Sequence, residues 1–183
     1  MGKYWICICL AWGLGIGGCT PVQQYRYTEG KIYGTFYHIS YASDEDLKEE
    51  ILRQMESVNA SLSMFNPESV IARLNRNETD SVDRHIAFNL HLADSIGALS
   101  DVTVKPLVEA WGFAGRERVE NPNVDSILEF VGREKVRVEG GRLVKDDPRV
   151  QLDFNSVAKG YTVDLLAGLV EKYGAENYIV DIG

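Results

Sequence analysis

The chain has 183 residues, 45% hydrophobic, 25% charged and 10% aromatic, which is enough apolar material for one core. Only 5 Pro, 17 Gly and the lack of a fixed-period repeat exclude collagen-like, low-complexity and solenoid architectures. With 19 Lys+Arg against 27 Asp+Glu the net charge is −8, which argues against nucleic acid as the main partner, because phosphate neutralisation needs clustered cations.

Lys3 precedes an apolar run from Tyr4 to Ile16, followed by Gly17, Gly18 and Cys19. A charged start, a short apolar stretch and small residues make residues 1–18 a secretory signal. The run is shorter than the roughly 20 apolar residues a spanning helix needs. Ile16-Gly17-Gly18-Cys19 looks like a bacterial lipobox, in which cleavage leaves a lipid-bearing Cys19 at the new N-terminus. An ordinary cleaved signal is the alternative, but acyl chains on Cys19 would explain stable anchoring. Residues 19–183 then form the exported domain. Cys7 and Cys9 leave with the signal and Cys19 carries lipid, so thiolate metal sites, cysteine nucleophiles and disulfides are excluded.

Residues 23–41 are rich in Tyr, Ile and Thr, with Gly30 and Gly34, and read as a hairpin whose second strand is Lys31 to Ser40. Ser43-Asp44-Glu45-Asp46 starts a helix on which Leu47, Ile51, Leu52, Met55, Val58 and Leu62 form one buried stripe. A second helix is predicted from Ile86 to Leu99 and a shorter one from Asp125 to Val131. Val136/Val138, the Gly140-Gly141 turn, Leu143 and Val150/Leu152 predict a β-meander with Pro148 in a connection. Ala158 to Tyr173 has helical spacing with Gly174 as its stop, and Tyr178 to Ile182 is an apolar strand. Helices and strands in no strict alternation predict an α+β fold.

Leu152-Asp153-Phe154-Asn155-Ser156-Val157-Ala158-Lys159 lies at a strand-to-helix junction. Asp153, Ser156 and Lys159 recur every three residues, so a carboxylate, a hydroxyl and a cation can project to one side. That set suits a phosphate and a hard metal, and a helix N-terminus favours a phosphoryl group. On spacing alone an ordinary cap by Asp153, Asn155 or Ser156, beside a solvated Lys159, is the simpler reading. Ser63-Met64-Phe65-Asn66-Pro67-Glu68-Ser69 and Asp101-Val102-Thr103-Val104-Lys105-Pro106-Leu107, the latter before Trp111-Gly112-Phe113, read singly as capped loops.

Taken in order, Gly34-Thr35-Phe36-Tyr37, the Ser63 to Ser69 stretch with Leu74-Asn75, the Asp101 to Leu107 stretch with Trp111-Gly112-Phe113, Asp153 to Asp164 and Asn177 to Gly183 resemble the ApbE family of FAD:protein FMN transferases. The resemblance implies a T-fold-like flavin transferase domain and an exported, Mg²⁺-dependent enzyme. Such an enzyme moves the FMN part of FAD to a threonine of an acceptor protein and releases AMP. The acceptor expected from the family is a subunit of a respiratory electron-transfer complex.

The resemblance further implies that Asp153, Lys159, Tyr33 and Phe65 contact the flavin nucleotide, that Leu99, Ser100 and Asp101 belong to the adenosine-binding stretch, and that Ser156 is a magnesium ligand. Relatives often have Met where Tyr33 stands. In the family the strand ending Asp181-Ile182-Gly183 runs on into a second half whose Asp- and Thr-containing loop completes the magnesium site, so the domain is expected to be truncated on its C-terminal side. His38, His85 and His91 match no catalytic position. Hydrolysis of FAD to FMN and AMP, or nucleotide binding without catalysis, are the competing activities, and the location expected is the bacterial cell membrane, facing the periplasm or in the outer membrane.

Overall fold

A computed structural model describes residues 24–97, 100–113 and 116–183. The proposed signal, Cys19 and Leu99 lie outside the described residues. Strands β1 (Tyr25–Ile32) and β2 (Thr35–Ala42) form an antiparallel hairpin, and β5 (Tyr178–Ile182) pairs antiparallel with the far side of β2, giving the order β1-β2-β5. The hairpin turns on Tyr33 and Gly34, both left-handed at φ 53° and 75°. Two positive φ values in a two-residue loop are those of the type I′ turn, whose twist matches the strands. The second strand therefore begins after Gly34, and Lys31, expected in it, lies in the first strand opposite Phe36.

One sheet face is buried through Tyr37, Ile39, Tyr41 and Ile182 against α1 (Lys48–Leu62) and α6 (Ala158–Lys172). The stripe predicted for α1 is the one that packs, with Ile51, Met55, Val58 and Leu62 all buried. Helix α6 ends where Gly174 adopts φ 79°, with Ala175 N–H donating to Val170 O at 3.1 Å and Gly174 N–H to Glu171 O at 2.9 Å. This is a Schellman termination, which glycine adopts without steric cost.

Val58 and Leu62, at the C-terminal end of the α1 stripe, and Tyr161 of α6 enter a second cluster with α2 (Val70–Asn75), α3 (Arg84–Ile96), Leu143, Val150, Leu152 and Phe154. Helix α3 starts two residues before the expected Ile86, because the Asp83 carboxylate accepts from His85 and Ile86 N–H, and it stops before Gly97 at φ 66°. Helices α2 and α4 (Lys105–Ala110) were not expected. Each has six residues, less than two turns, too short for an apolar period to register. Helix α5 covers Val124–Leu128, shorter than the predicted Asp125 to Val131. The meander reduces to the hairpin of β3 (Val136–Glu139) and β4 (Arg142–Lys145), since Val150 and Leu152 flank only a single parallel bridge from Gln151 to Val104. Buried helices and antiparallel strands confirm the α+β class. Among the described residues no helix is long and apolar enough to cross a membrane.

Candidate functional site

Two segments far apart in sequence are stitched together between α3 and α6. Asp153 N–H donates to Val102 O at 2.7 Å, and the Gln151–Val104 bridge continues the pairing. The contact sets Ser100-Asp101 beside Asp153 to Ser156, and the Ser100 and Ser156 hydroxyl oxygens stand 3.5 Å apart. Thr103, fully buried, holds the first segment: it donates its hydroxyl to Asp101 Oδ1 at 2.6 Å while that oxygen also accepts from Thr103 N–H at 2.8 Å, and it accepts from Gly132 N–H at 2.7 Å. Asp101 is thereby fixed in rotamer at a partly exposed position.

Asp153 is 7% exposed, and its Oδ1 accepts from Asn155 N–H at 2.7 Å. Among the described residues no ion pair reaches it. This local bond corrects the simpler expectation for the junction: Val157 is the N-cap residue of α6, and no side chain caps the helix. Asp153 instead folds the turn that carries Ser156, whose side chain is exposed, to the helix start. Lys159, in the first turn of α6, reaches Gly183 O at 2.9 Å, and Gly183 N–H donates to Phe36 O at 3.2 Å. Lys159 thus lies against the end of β5 and the beginning of β2, next to the hairpin turn.

Tyr33, in that turn, donates its hydroxyl to Met55 O at 2.8 Å, and burial pushes its pKa up to about 12. The ring packs on both core clusters. Phe65 stands apart: its ring is 72% exposed, on a loop whose backbone is tied by Ser63 Oγ and by the Ser69 hydroxyl donating to Ser63 O at 2.7 Å.

Sequence reasoning assigned no role to three neighbours of the site. Lys105, 9% exposed, donates to Gln151 Oε1 at 2.9 Å and pairs with Glu109, fastening α4 to the Asp153 segment. Asn75 and Thr103 hold backbone from beneath. Asn75 and Thr103 lay inside quoted motifs, but the polar bonds they make cross up to 77 residues and leave no periodic signal. A concavity of about 980 Å³ lined by Tyr25, Ser40, Glu171 and Ile179 lies at the C-terminal end of α6, away from Ser156.

Ser156 offers the hard oxygen chemistry that Mg²⁺ takes. Among the described residues no group of three or more His, Cys, Asp or Glu side chains is gathered to hold a metal. Ser156 is a single ligand, so a magnesium ion held there would take its other oxygen ligands from water, phosphate or further side chains.

The model of the ApbE family matches residues 33–183. The chain belongs to the ApbE family. Among similar proteins, an FAD:protein FMN transferase of Haemophilus influenzae is 34% identical over 200 residues, covering 96% of this chain and 58% of the relative. One of Vibrio cholerae is 32% identical over 198 residues, covering 99% of this chain and 59% of the relative. The solved flavin transferase ApbE from Vibrio cholerae superposes with a TM-score of 0.79 at 32% identity, over 87% of this chain and 57% of that one. The chain thus spans about three fifths of the length of these ApbE relatives. All five motif stretches lie within or overlap the matched range, and the ApbE solved structure shares the α+β arrangement described above.

Proposed function

We propose that this chain carries the nucleotide-holding part of an FAD:protein FMN transferase, which transfers the FMN moiety of FAD to a threonine of an acceptor protein, with Mg²⁺, and releases AMP. The observation that carries the reading is the Asp153 N–H to Val102 O bond, which sets the Ser100-Asp101 and Asp153-Ser156 stretches side by side. Relatives at 34% and 32% identity that bear this name support it.

In the reaction the threonine hydroxyl oxygen forms a bond to the FMN-side phosphorus, the P–O bond to the AMP phosphate breaks, and the hydroxyl proton leaves with the departing phosphate or solvent. Mg²⁺ supplies neutralisation of the pyrophosphate charge when bound. Lys159 adds a cation at the start of α6, where the helix dipole also favours negative charge. Ser156 presents an oxygen to the metal, and the fixed Asp101 carboxylate and Ser100 hydroxyl orient the adenosine side. Lipid on Cys19 would tether the domain to the membrane on its periplasmic side or in the outer membrane, within reach of an acceptor subunit of a respiratory electron-transfer complex.

Incubation of the full-length gene product with FAD, Mg²⁺ and a flavin-acceptor domain is expected to leave flavin fluorescence on the acceptor in a denaturing gel, and Asp153→Asn and Ser156→Ala are each expected to lower the labelling rate at least tenfold. AMP release without labelling would mean hydrolysis instead, and undiminished labelling by both variants would remove these residues from the site. Replacing Cys19 by Ser is expected to abolish incorporation of a fatty-acid label and move the protein from the membrane to the soluble fraction.

A further inference from the structure

Asn75 closes α2 with a carboxamide that is 7% exposed. Its Nδ2 donates to Leu152 O at 2.9 Å, and its Oδ1 accepts from Leu152 N–H at 2.7 Å. The side chain thus reproduces a rung of a β-ladder for a segment 77 residues away that has, among the described residues, only one strand-like partner of its own. Leu152 is fully buried, so neither of its backbone groups can turn to water in exchange. On the far side of the same segment, Asp153 N–H is taken by Val102 O. The backbone leading into Asp153 is therefore gripped from two directions, and Asp153 passes the constraint on through Asn155 N–H to the turn carrying Ser156.

We infer that Asn75 is a positioning residue for the nucleotide site, setting the backbone from which Asp153 and Ser156 project without itself touching the nucleotide. The inference rests on the flavin-nucleotide reading above. Both bonds are required at once, and only a carboxamide supplies a donor and an acceptor in this span; a carboxylate of the same shape lacks the donor and faces Leu152 O with negative charge.

The test compares Asn75→Asp with Val58→Ala, which opens a cavity in the same core cluster at a residue 2% exposed and lowers stability while leaving both Asn75 bonds to Leu152 in place. Two quantities are read on the full chain at a temperature where each variant is folded by circular dichroism: FAD affinity with Mg²⁺, from flavin fluorescence, and amide hydrogen exchange of residues 152–155. Asn75→Asp is expected to weaken FAD binding at least tenfold and to speed exchange at 152–155, while Val58→Ala leaves the affinity within twofold and that exchange unchanged. Wild-type affinity in Asn75→Asp, or equal weakening by Val58→Ala, overturns the inference. If the wild-type chain binds no FAD, the functional reading falls, and exchange alone decides the positioning: unchanged protection in Asn75→Asp overturns it. Should Asn75→Asp not fold, Asn75→Ala removes both bonds without adding a charge and is read in the same way.

Discussion

Lys145 ends β4 with its ammonium against the C-terminal end of α2, donating to Leu74 O at 2.7 Å and to Asn77 Oδ1 at 2.9 Å. Carbonyls at a helix end attract a cation, but among the described residues no carboxylate bonds this one, and burial lowers its pKa to about 8. The sign of the resulting pH dependence follows from proton counting. Between pH 8 and the unfolded value near 10.5 the unfolded chain binds more protons than the folded chain, so this residue makes stability rise with pH across that window. Below pH 8 both states are charged and the burial penalty is present in full. Lys145→Met lacks the titration, so urea unfolding at pH 7.5 and 9.5 is expected to show a wild-type gain over that interval that the variant lacks; parallel changes in both proteins would refute the assignment. Nothing in the sequence marks Lys145 among the surface lysines, because its surroundings are made by Leu74 and Asn77, about 70 positions away.

At the scale of elements, caps decide where helices begin. Asp83 Oδ1 accepts from His85 N–H at 3.0 Å, Ile86 N–H at 2.9 Å and the Ser61 hydroxyl at 2.9 Å, joining the start of α3 to the end of α1. Loss of a cap costs about 1–2 kcal/mol, and a chain of this size loses roughly 2–4 °C of melting temperature per kcal/mol. Asp83→Ala is therefore expected to lower the thermal midpoint by roughly 2–8 °C, while Asp83→Asn, which keeps an acceptor oxygen, stays near wild type in the same scan. Long elements were legible in the sequence because fifteen-residue α1 and α6 repeat their apolar positions over four turns. The six-residue α2 and α4 were not, since they end before a second repeat. The site shows the same division. The order of its motifs could be read along the chain, whereas the side-by-side placement of Ser100 and Ser156 depends on a backbone bond between Val102 and Asp153 that no local pattern encodes.

At the scale of the molecule, the three-stranded sheet buries one face and leaves the other open. Tyr27 is 76% exposed, Phe36 58% and Ile179 67%, and the register places Tyr27, Ser40 and Ile179 in one row across β1, β2 and β5. β5 is also a sheet edge, with no strand beyond it among the described residues. An apolar sheet face beside an unpaired edge promotes strand-to-strand association, which charged side chains on the edge oppose. Asp181 of β5 supplies some of that opposition, but Ile179, two residues before it on the same strand, is exposed and uncharged. The chain is therefore expected to self-associate as its concentration rises, with sedimentation velocity showing a growing fraction above monomer mass, and Ile179→Lys is expected to return it to monomer without lowering its melting temperature, because the wild-type side chain buries little in the monomer. A wild-type chain that stays monomeric at every concentration, or an Ile179→Lys variant that associates equally, would show that this face and edge do not drive assembly.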